Sequence, residues 1–240
     1  MAGSTSTDKR RSPRVGMDGW RRAFSGGETG KAWEKGDTHM SAAPTGKAEA
    51  ITRSWNGLDI PVPGTWEFDP AHTSIVVVGR HSMIVKVRGR FNEFSGRIHI
   101  AESPEDSWVE ATIQAASVDS GVQMRDDHMR SPDFLDVERF PTISFRSTGM
   151  KLGEGSNLRV AGDLTILDVT REIELDVEYE GATIDPWGNP RIGLSATGEF
   201  EREAFGMTWN QVMERGWLVG KKFRLEIDVA AILQRDEAAS

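Results

Sequence analysis

Hydrophobic and polar residues alternate along most of the chain after residue 64. Within residues 158–180, apolar side chains occupy alternate positions on either side of a short break at residues 168–170. After the break, every residue between two apolar ones is acidic. The apolar residues are Leu158, Val160, Leu164, Ile166, Ile173, Leu175, Val177 and Tyr179. Successive side chains of a strand point to opposite faces, so this pattern predicts two half-buried strands. The short break predicts an antiparallel hairpin.

The same alternation predicts further strands over residues 64–68, 73–79, 87–101, 108–118, 141–150, 191–201 and 222–233. Glycines 89 and 96 inside the long third segment predict sharp bends, and residues 124–130 predict a short helix before Pro132. The resulting fold class is all-β. Long strands with glycine at the bends favour an eight-stranded antiparallel barrel with a short helical insertion over a two-sheet sandwich.

Small residues occupy several positions that the alternation turns inward, namely Ala111, Ala115, Gly162, Ala196 and Gly198. The interior of an eight-stranded barrel is either filled by side chains or holds one small ligand. Small inward residues favour a narrow apolar hole. The alternative, in which large neighbouring side chains fill that space, stays open from pattern alone.

Residues 1–63 show no hydrophobic period and are rich in Gly, Ser, Thr, Pro and basic residues, which predicts a disordered N-terminal tail. The isolated Trp20, Phe24 and Trp33 leave a docking motif open, and Met40 offers an alternative start. The predicted domain spans residues 64–234, followed by a C-terminal tail at 235–240. No apolar segment follows the first basic residues, so the expected location is cytoplasmic, with peripheral membrane contact as an open alternative.

The net charge of −8 is unevenly distributed. Residues 1–39 carry eight basic and five acidic side chains, so the remainder carries a net charge of −11. An acidic domain repels phosphate backbones, which argues against nucleic-acid binding. The absence of cysteine excludes disulfides and thiolate chemistry, and no apolar run approaches the roughly 20 residues of a membrane-spanning helix.

Catalytic signatures are absent from the sequence: it has no nucleophile elbow, no P-loop, no dinucleotide fingerprint and no zinc-protease motif. The five histidines form no tight ligand pair along the chain. Asp69 and His72 are expected to organise their turn, although convergence with Asp127 and His128 at a metal stays open. We therefore expect no catalytic residue, no metal and no cofactor.

A series of motifs resembles the YceI-like, polyisoprenoid-binding family. It comprises W-x-F-D-x-x-H-T-x-I at residues 66–75, His81, V-R-G-x-F-x-x-F-x-G at 87–96, R-D-D-H-M-R-S-x-D-F at 125–134, F-P-x-I-x-F at 140–145, G-D-L-T-I-x-x-V-T at 162–170 and R-x-x-F-G-M at 202–207. The resemblance covers the predicted domain and none of the tail. Thr73 stands where the family usually has serine, and many members carry a secretion signal that is not seen here.

This resemblance implies an extended lipocalin-like barrel that binds, stores or transports a polyisoprenoid or a similar long-chain lipid, such as an isoprenoid quinone. It also implies a homodimer. The alternative function is an enzyme or stress-response protein that acts on a small apolar or quinone-like substrate in the same pocket. Residues expected to contact lipid inside the barrel are Ile75, Val77, Ile98, Val109, Ala111, Ile113, Ile143, Phe145, Leu164, Leu175, Leu194, Ala196 and Leu225. Polar candidates for the pocket mouth are His81, Arg125, Asp126, His128, Arg130 and Arg202; a structural role for each is the alternative.

Overall fold

The computed structural model describes residues 50–214 and 216–234. The predictions for residues 1–49, including the start at Met40, and for residues 235–240 lie outside this part. The strands are β1 (Thr52–Trp55), β2 (Leu58–Pro61), β3 (Gly64–Phe68), β4 (Ser74–His81), β5 (Val85–Phe91), β6 (Phe94–Ile100), β7 (Trp108–Gln114), β8 (Val118–Asp119), β9 (Thr142–Leu152), β10 (Asn157–Ile166), β11 (Val169–Ile184), β12 (Pro190–Glu201), β13 (Val212–Met213), β14 (Gly216–Trp217) and β15 (Lys222–Leu233). The helix α1 spans Gln123–Arg130, and single 3-10 turns form at Pro104–Asp106, Ala115–Ser117 and Arg202–Phe205.

The main sheet closes into an eight-stranded antiparallel barrel, which confirms the predicted fold. Three of the eight barrel strands are bent, and each of these consists of two labelled strands that follow one another in the chain: β3 with β4, β5 with β6, and β7 with β8. Strand β15 closes the ring. One of its edges pairs with β12, whereas the other pairs with β3 near its C-terminal end and with β4 near its N-terminal end.

The predicted hairpin of residues 158–180 is confirmed as β10 and β11, which pair from Ile166↔Val169 to Asn157↔Glu178. The alternation also holds in burial, since Val160, Leu164 and Leu175 are buried. The acidic partners face outward. One face of this hairpin therefore belongs to the barrel interior.

The long strand predicted over residues 87–101 is interrupted, but not at its glycines. The interruption falls at Asn92 and Glu93, between β5 and β6. Gly96 has a different function, because a Cβ atom at this position would lie 2.4 Å from the ring of Phe68. The glycine therefore admits an aromatic ring against the strand.

The predicted boundary of the disordered tail at residue 63 is wrong. Strands β1 and β2 form a hairpin before it, with Arg53 paired to Ile60 and Trp55 paired to Leu58. Asn56 and Gly57 make the turn with φ values of 50° and 83°. An Asn-Gly pair suits a two-residue turn with positive φ at both positions, so a local signal for this hairpin was present in the sequence.

Candidate functional site

The barrel interior contains two apolar cavities. The first has a volume of about 440 Å³ and lies at the end covered by α1, where Met129 and Phe134 line it. The second has a volume of about 280 Å³ and extends to the end covered by the β1–β2 hairpin. Small-molecule sites typically have volumes of roughly 300–1,000 Å³. The first cavity lies within this range and the second lies just below it. The interior is therefore not filled from end to end by its own side chains.

Four apolar side chains line both cavities and form the narrow region between them. They are Ile75, Ile113, Leu164 and Leu225, from β4, β7, β10 and β15. Three of them (Ile75, Leu164 and Leu225) are buried. We call this group the waist.

All thirteen residues predicted to lie inside the barrel line one or both cavities. Besides the waist, Val77 and Ile143 line the first cavity, and the second is lined by Ile98, Val109, Ala111, Phe145, Leu175, Leu194 and Ala196. The alternating pattern therefore located the lumen wall. Lipid contact at these residues stays a prediction.

Not every small inward residue leaves empty space. Ala111 and Ala196 line the second cavity. At Gly162, however, a Cβ atom would lie 2.4 Å from the ring of Phe145, and at Gly198 it would lie 2.6 Å from a methyl group of Leu175. These glycines accommodate larger neighbours, and Ala115 is buried and lines neither cavity. Of the five small inward residues, Ala111 and Ala196 are therefore the two that border empty space.

Three of the predicted mouth residues, His81, Arg125 and His128, line the first cavity. Arg125 lies on α1, and Ser120 orients its guanidinium. Nε donates to the hydroxyl of Ser120 at 2.7 Å, and Nη2 donates to the backbone carbonyl of Ser120 at 2.9 Å. A planar guanidinium held in this way suits a phosphate or carbonyl oxygen.

His128 is held between two aromatic rings and a carboxylate. Its ring centroid lies 4.4 Å from that of Trp209 and 5.0 Å from that of Phe134, both in edge-on geometry. Its Nε2 lies 2.9 Å from Oδ2 of Asp133. The imidazole is therefore fixed at the cavity, with one nitrogen engaged by a carboxylate.

The other three mouth candidates line neither cavity, which corrects the prediction for them. Asp126 is buried and its Oδ1 accepts hydrogen bonds from the backbone N–H and the hydroxyl of Ser120, so it fixes the start of α1. Arg130 donates to the backbone carbonyls of Ala116 and Val118 at 2.7 and 2.6 Å. Both side chains attach the helix to the β7–β8 region.

Arg202 is fully buried and also has a structural position. Its Nε donates to the carbonyl of Gly220 at 3.0 Å, and its Nη1 donates to the carbonyl of Met207. Burial lowers the pKa of the guanidinium, with the charge of Glu203 opposing that effect. The Arg-x-x-Phe-Gly-Met motif therefore ties the 3-10 turn to the segment before β15.

The β1–β2 hairpin supplies part of the second cavity, and the sequence analysis missed this contribution. Trp55, Leu58 and Ile60 line that cavity together with Tyr179 of β11. Burial raises the pKa of the Tyr179 phenol, and the nearby carboxylate of Asp59 adds to the effect. This end of the lumen therefore combines apolar walls with a neutral phenol.

Sequence reasoning also missed several first-cavity residues outside the regular alternation, namely Phe91, Val118, Met129, Phe134, Leu135 and Met207. Most lie next to breaks or in the helical insertion, where a period of two gives no guidance. Within residues 50–214 and 216–234, no cluster of three or more His, Asp or Glu side chains is placed to hold a metal ion. Among those same residues, no helix has the length and apolar character required to cross a bilayer.

A sequence model of the YceI-like domain matches residues 66–231, which is most of the chain. The chain belongs to the YceI-like family. Relatives of this YceI-like chain include a UPF0312 protein of Shewanella denitrificans, 34% identical over 170 residues, with 70% of this chain and 87% of the relative covered. A UPF0312 protein of Staphylococcus aureus is 32% identical over 163 residues, covering 66% and 92%.

Solved structures show the same YceI-like barrel. A YceI protein of Campylobacter jejuni is 26% identical with a TM-score of 0.57, covering 65% of this chain and 90% of its own. Burkholderia cenocepacia BcnA is 20% identical with a TM-score of 0.61, covering 68% and 98%. A polyisoprenoid binding domain from Saccharophagus degradans is 14% identical with a TM-score of 0.53, covering 72% and 100%. The last two likenesses concern the fold alone.

Proposed function

We propose that this YceI-like barrel binds one polyisoprenoid or a similar long-chain lipid along its axis. The observation that carries the proposal is the pair of apolar cavities that meet at the waist. A distantly similar fold, that of the Saccharophagus degradans domain, is named as polyisoprenoid binding, which supports the same ligand class.

Hydrophobic transfer supplies the affinity in this proposal. Each buried CH₂ contributes about 0.8 kcal/mol, so a five-carbon prenyl unit contributes about 4 kcal/mol. A chain that occupies both cavities then needs few polar contacts. Arg125 and His128 at the first cavity are positioned to receive a polar headgroup, whereas the inner walls select for chain length and shape.

Organic extraction and mass spectrometry of the purified full-length protein test the proposal. We expect a long-chain lipid in about equimolar amount, or uptake of an added polyprenol at that stoichiometry by delipidated and refolded protein. Protein that contains no lipid and takes up no polyprenol, while it keeps the circular dichroism spectrum of a folded barrel, would overturn the carrier function.

A second candidate function is catalysis on a small quinone-like substrate. The contact between His128 and Asp133 at the first cavity favours it, because a carboxylate-oriented imidazole can transfer protons. This function predicts turnover that is lost in His128→Ala or His81→Ala while lipid binding is largely kept. We favour the non-catalytic function, in which both variants change only headgroup selectivity.

The finer features of the proposal are an isoprenoid quinone as ligand, transport between donor and acceptor membranes, a homodimer and a cytoplasmic location. The lipid extraction described above identifies the headgroup. Transfer of a labelled polyprenol between two vesicle populations tests transport, sedimentation velocity tests the dimer, and cell fractionation tests the location.

A further inference from the structure

Exposed apolar side chains surround the opening of the first cavity. Among the described residues, twelve large apolar side chains are exposed, and eight of them belong to three neighbouring segments at this end. We call these eight residues the apolar rim: Met83, Ile84, Val85, Val122, Met124, Val212, Met213 and Trp217. Ile84 and Met124 are 76% and 83% exposed. Such a concentration of exposed apolar residues marks an interaction site.

The apolar rim is continuous with the cavity wall. Val122 and Met124 themselves line the first cavity, and its wall also includes His81 and Leu218, which adjoin the other two segments of the rim. These two segments are in contact, since the backbone N–H of Ser82 donates to the carbonyl of Leu218 at 2.7 Å. A partner seated on the rim would therefore face directly into the opening.

The turn between β4 and β5 holds its apolar side chains outward in an unusual backbone conformation. Ser82 and Met83 have φ values of 51° and 62°, and the N–H of Ile84 donates to the carbonyl of His81 at 3.1 Å. Residues other than glycine, asparagine and aspartate rarely adopt this left-handed region. Strain of this kind persists where the surrounding structure enforces it and is frequent at functional sites.

The β4–β5 part of the rim differs in charge from the rest of the chain, whereas α1 carries Asp126 and Asp127 close to Met124. Residues 80–90 contain Arg80, Lys86, Arg88 and Arg90 and no acidic residue, although the whole chain has a net charge of −8. Arg80 and Lys86 face each other across the strand pair directly behind the turn. Glu214 is an acidic residue next to Met213 in the rim. The segment at residues 101–107, which borders the second cavity at the opposite end, carries three acidic residues and no basic one.

We propose that the apolar rim docks the barrel, opening first, on the surface of an anionic lipid bilayer. Exposed Ile, Met, Val and Trp side chains insert into the boundary between headgroups and acyl chains, and the basic strand pair contacts the anionic headgroups. A second copy fits the rim less well, because a two-fold interface there would bring Arg80 and Lys86 of both copies together. Exchange of lipid through the docked opening rests on the proposed function, whereas the docking itself depends only on the rim and the basic strand pair.

Flotation of the full-length protein with vesicles tests the docking. The vesicles consist of phosphatidylcholine alone or of phosphatidylcholine with 30% phosphatidylglycerol, a composition chosen for about physiological anionic charge. We expect binding to the anionic vesicles that weakens as salt is raised, because the Debye length shortens to about 3 Å at 1 M. The double variant Ile84→Glu/Met124→Glu should reduce this binding at least about tenfold, and Lys86→Glu should reduce it for anionic vesicles only.

The matched control is Ile184→Glu/Trp187→Glu, which adds the same charges at exposed apolar positions beside the opposite end, where Trp187 is 80% exposed. It should bind vesicles within about twofold of the original protein. Equal loss of binding in both double variants, or none in either, overturns the docking. Loss of a dimer in the rim variant without vesicle binding by the original chain also overturns it, in favour of a second copy.

Lipid extraction from the same preparations separates this inference from the proposed function. Protein that contains lipid but does not bind vesicles rejects the docking and keeps the carrier function. Protein that binds vesicles through the rim but never contains lipid keeps the docking and rejects the carrier function.

Discussion

Arg191 donates from Nε to Oδ2 of Asp185 at 2.8 Å, which joins the start of β12 to the loop that precedes it. The same guanidinium contacts the carboxylate of Asp69, in the turn between β3 and β4. Asp69 also accepts hydrogen bonds from the backbone of Ala71 and from the ring of His72. The expectation that Asp69 and His72 organise their turn is confirmed, and the turn is in addition fastened to β12.

Stability should fall in acid because of this ion-pair network. The hydrogen bond from Arg191 holds the pKa of Asp69 at about 2, below its ordinary value of 3.8. Burial alone would raise the pKa of Asp185, but hydrogen bonds from Arg191 and Asn189 outweigh it and lower the pKa. A carboxylate with a depressed folded-state pKa stabilises the fold above its unfolded pKa, and the contribution is lost as the pH falls.

We therefore expect the free energy of unfolding to decline as the pH is lowered from about 4 to about 2. Urea unfolding at several pH values measures this decline. Asp69→Asn should make the protein less stable at neutral pH and should flatten the decline. An unchanged slope in that variant would show that other carboxylates dominate the acid response.

Filling the second cavity should shorten the bound chain. Ala111 lines that cavity, whereas its neighbour Thr112 on β7 is exposed. Ala111→Phe places a ring in the lumen and should displace at least one prenyl unit, a loss of about 4 kcal/mol for a ligand of the original length. Mass spectrometry of extracted lipid should show a shorter chain or an empty barrel. Thr112→Phe is the control and should keep the original lipid.

A smaller side chain at the waist should lower the free energy of unfolding and enlarge the space between the two cavities. Leu164 is buried at the narrow region between the cavities. Leu164→Ala should cost about 3 kcal/mol of unfolding free energy, because it enlarges a space that the barrel cannot collapse around. Thermal and urea unfolding measure the cost. A loss below about 1 kcal/mol would mean that the neighbouring side chains repack into the space.

Removing the guanidinium of Arg202 should affect folding rather than lipid selectivity. Arg202→Met leaves the carbonyls of Gly220 and Met207 without their buried donor, at a cost of about 2–4 kcal/mol. The lipid extracted from the folded fraction should have the same headgroup as in the original protein. A changed headgroup with unchanged stability would contradict this structural role and would support Arg202 as a headgroup contact at the mouth of the pocket.

Arg125→Gln provides the opposite comparison. Arg125 lines the first cavity and is oriented by Ser120 without being buried. We expect a change in headgroup preference and a loss of stability of about 1 kcal/mol or less. Competition between polyprenyl phosphate and the corresponding alcohol measures the preference, and equal competition in both proteins would contradict a headgroup role.

The lumen wall could be predicted from the sequence because a strand turns every second side chain to the same face. Val160 and Leu175 illustrate this, since burial follows the alternation without exception along their hairpin core. The ring closure was also predictable from strand number and length. Both features depend on local periodicity.

The mouth could not be predicted in the same way. Asp126 and His128 lie two positions apart on one helix, yet Asp126 points to Ser120 and His128 faces the cavity. Which charged side chain of a short helix faces the lumen depends on how the helix packs, and eight residues give too little periodicity to decide it. The β1–β2 hairpin was missed for another reason: the Asn56–Gly57 turn signal stood among residues whose composition suggested disorder.

The closure of the ring by β15 has a consequence for folding. This strand pairs with β12 on one edge and with β3 and β4 on the other. Until residues 222–233 take their place, the sheet formed by the other strands has two unpaired edges and encloses no lumen. The enclosed apolar lumen therefore forms only when β15 pairs on both sides, and until then both open edges can pair with other chains.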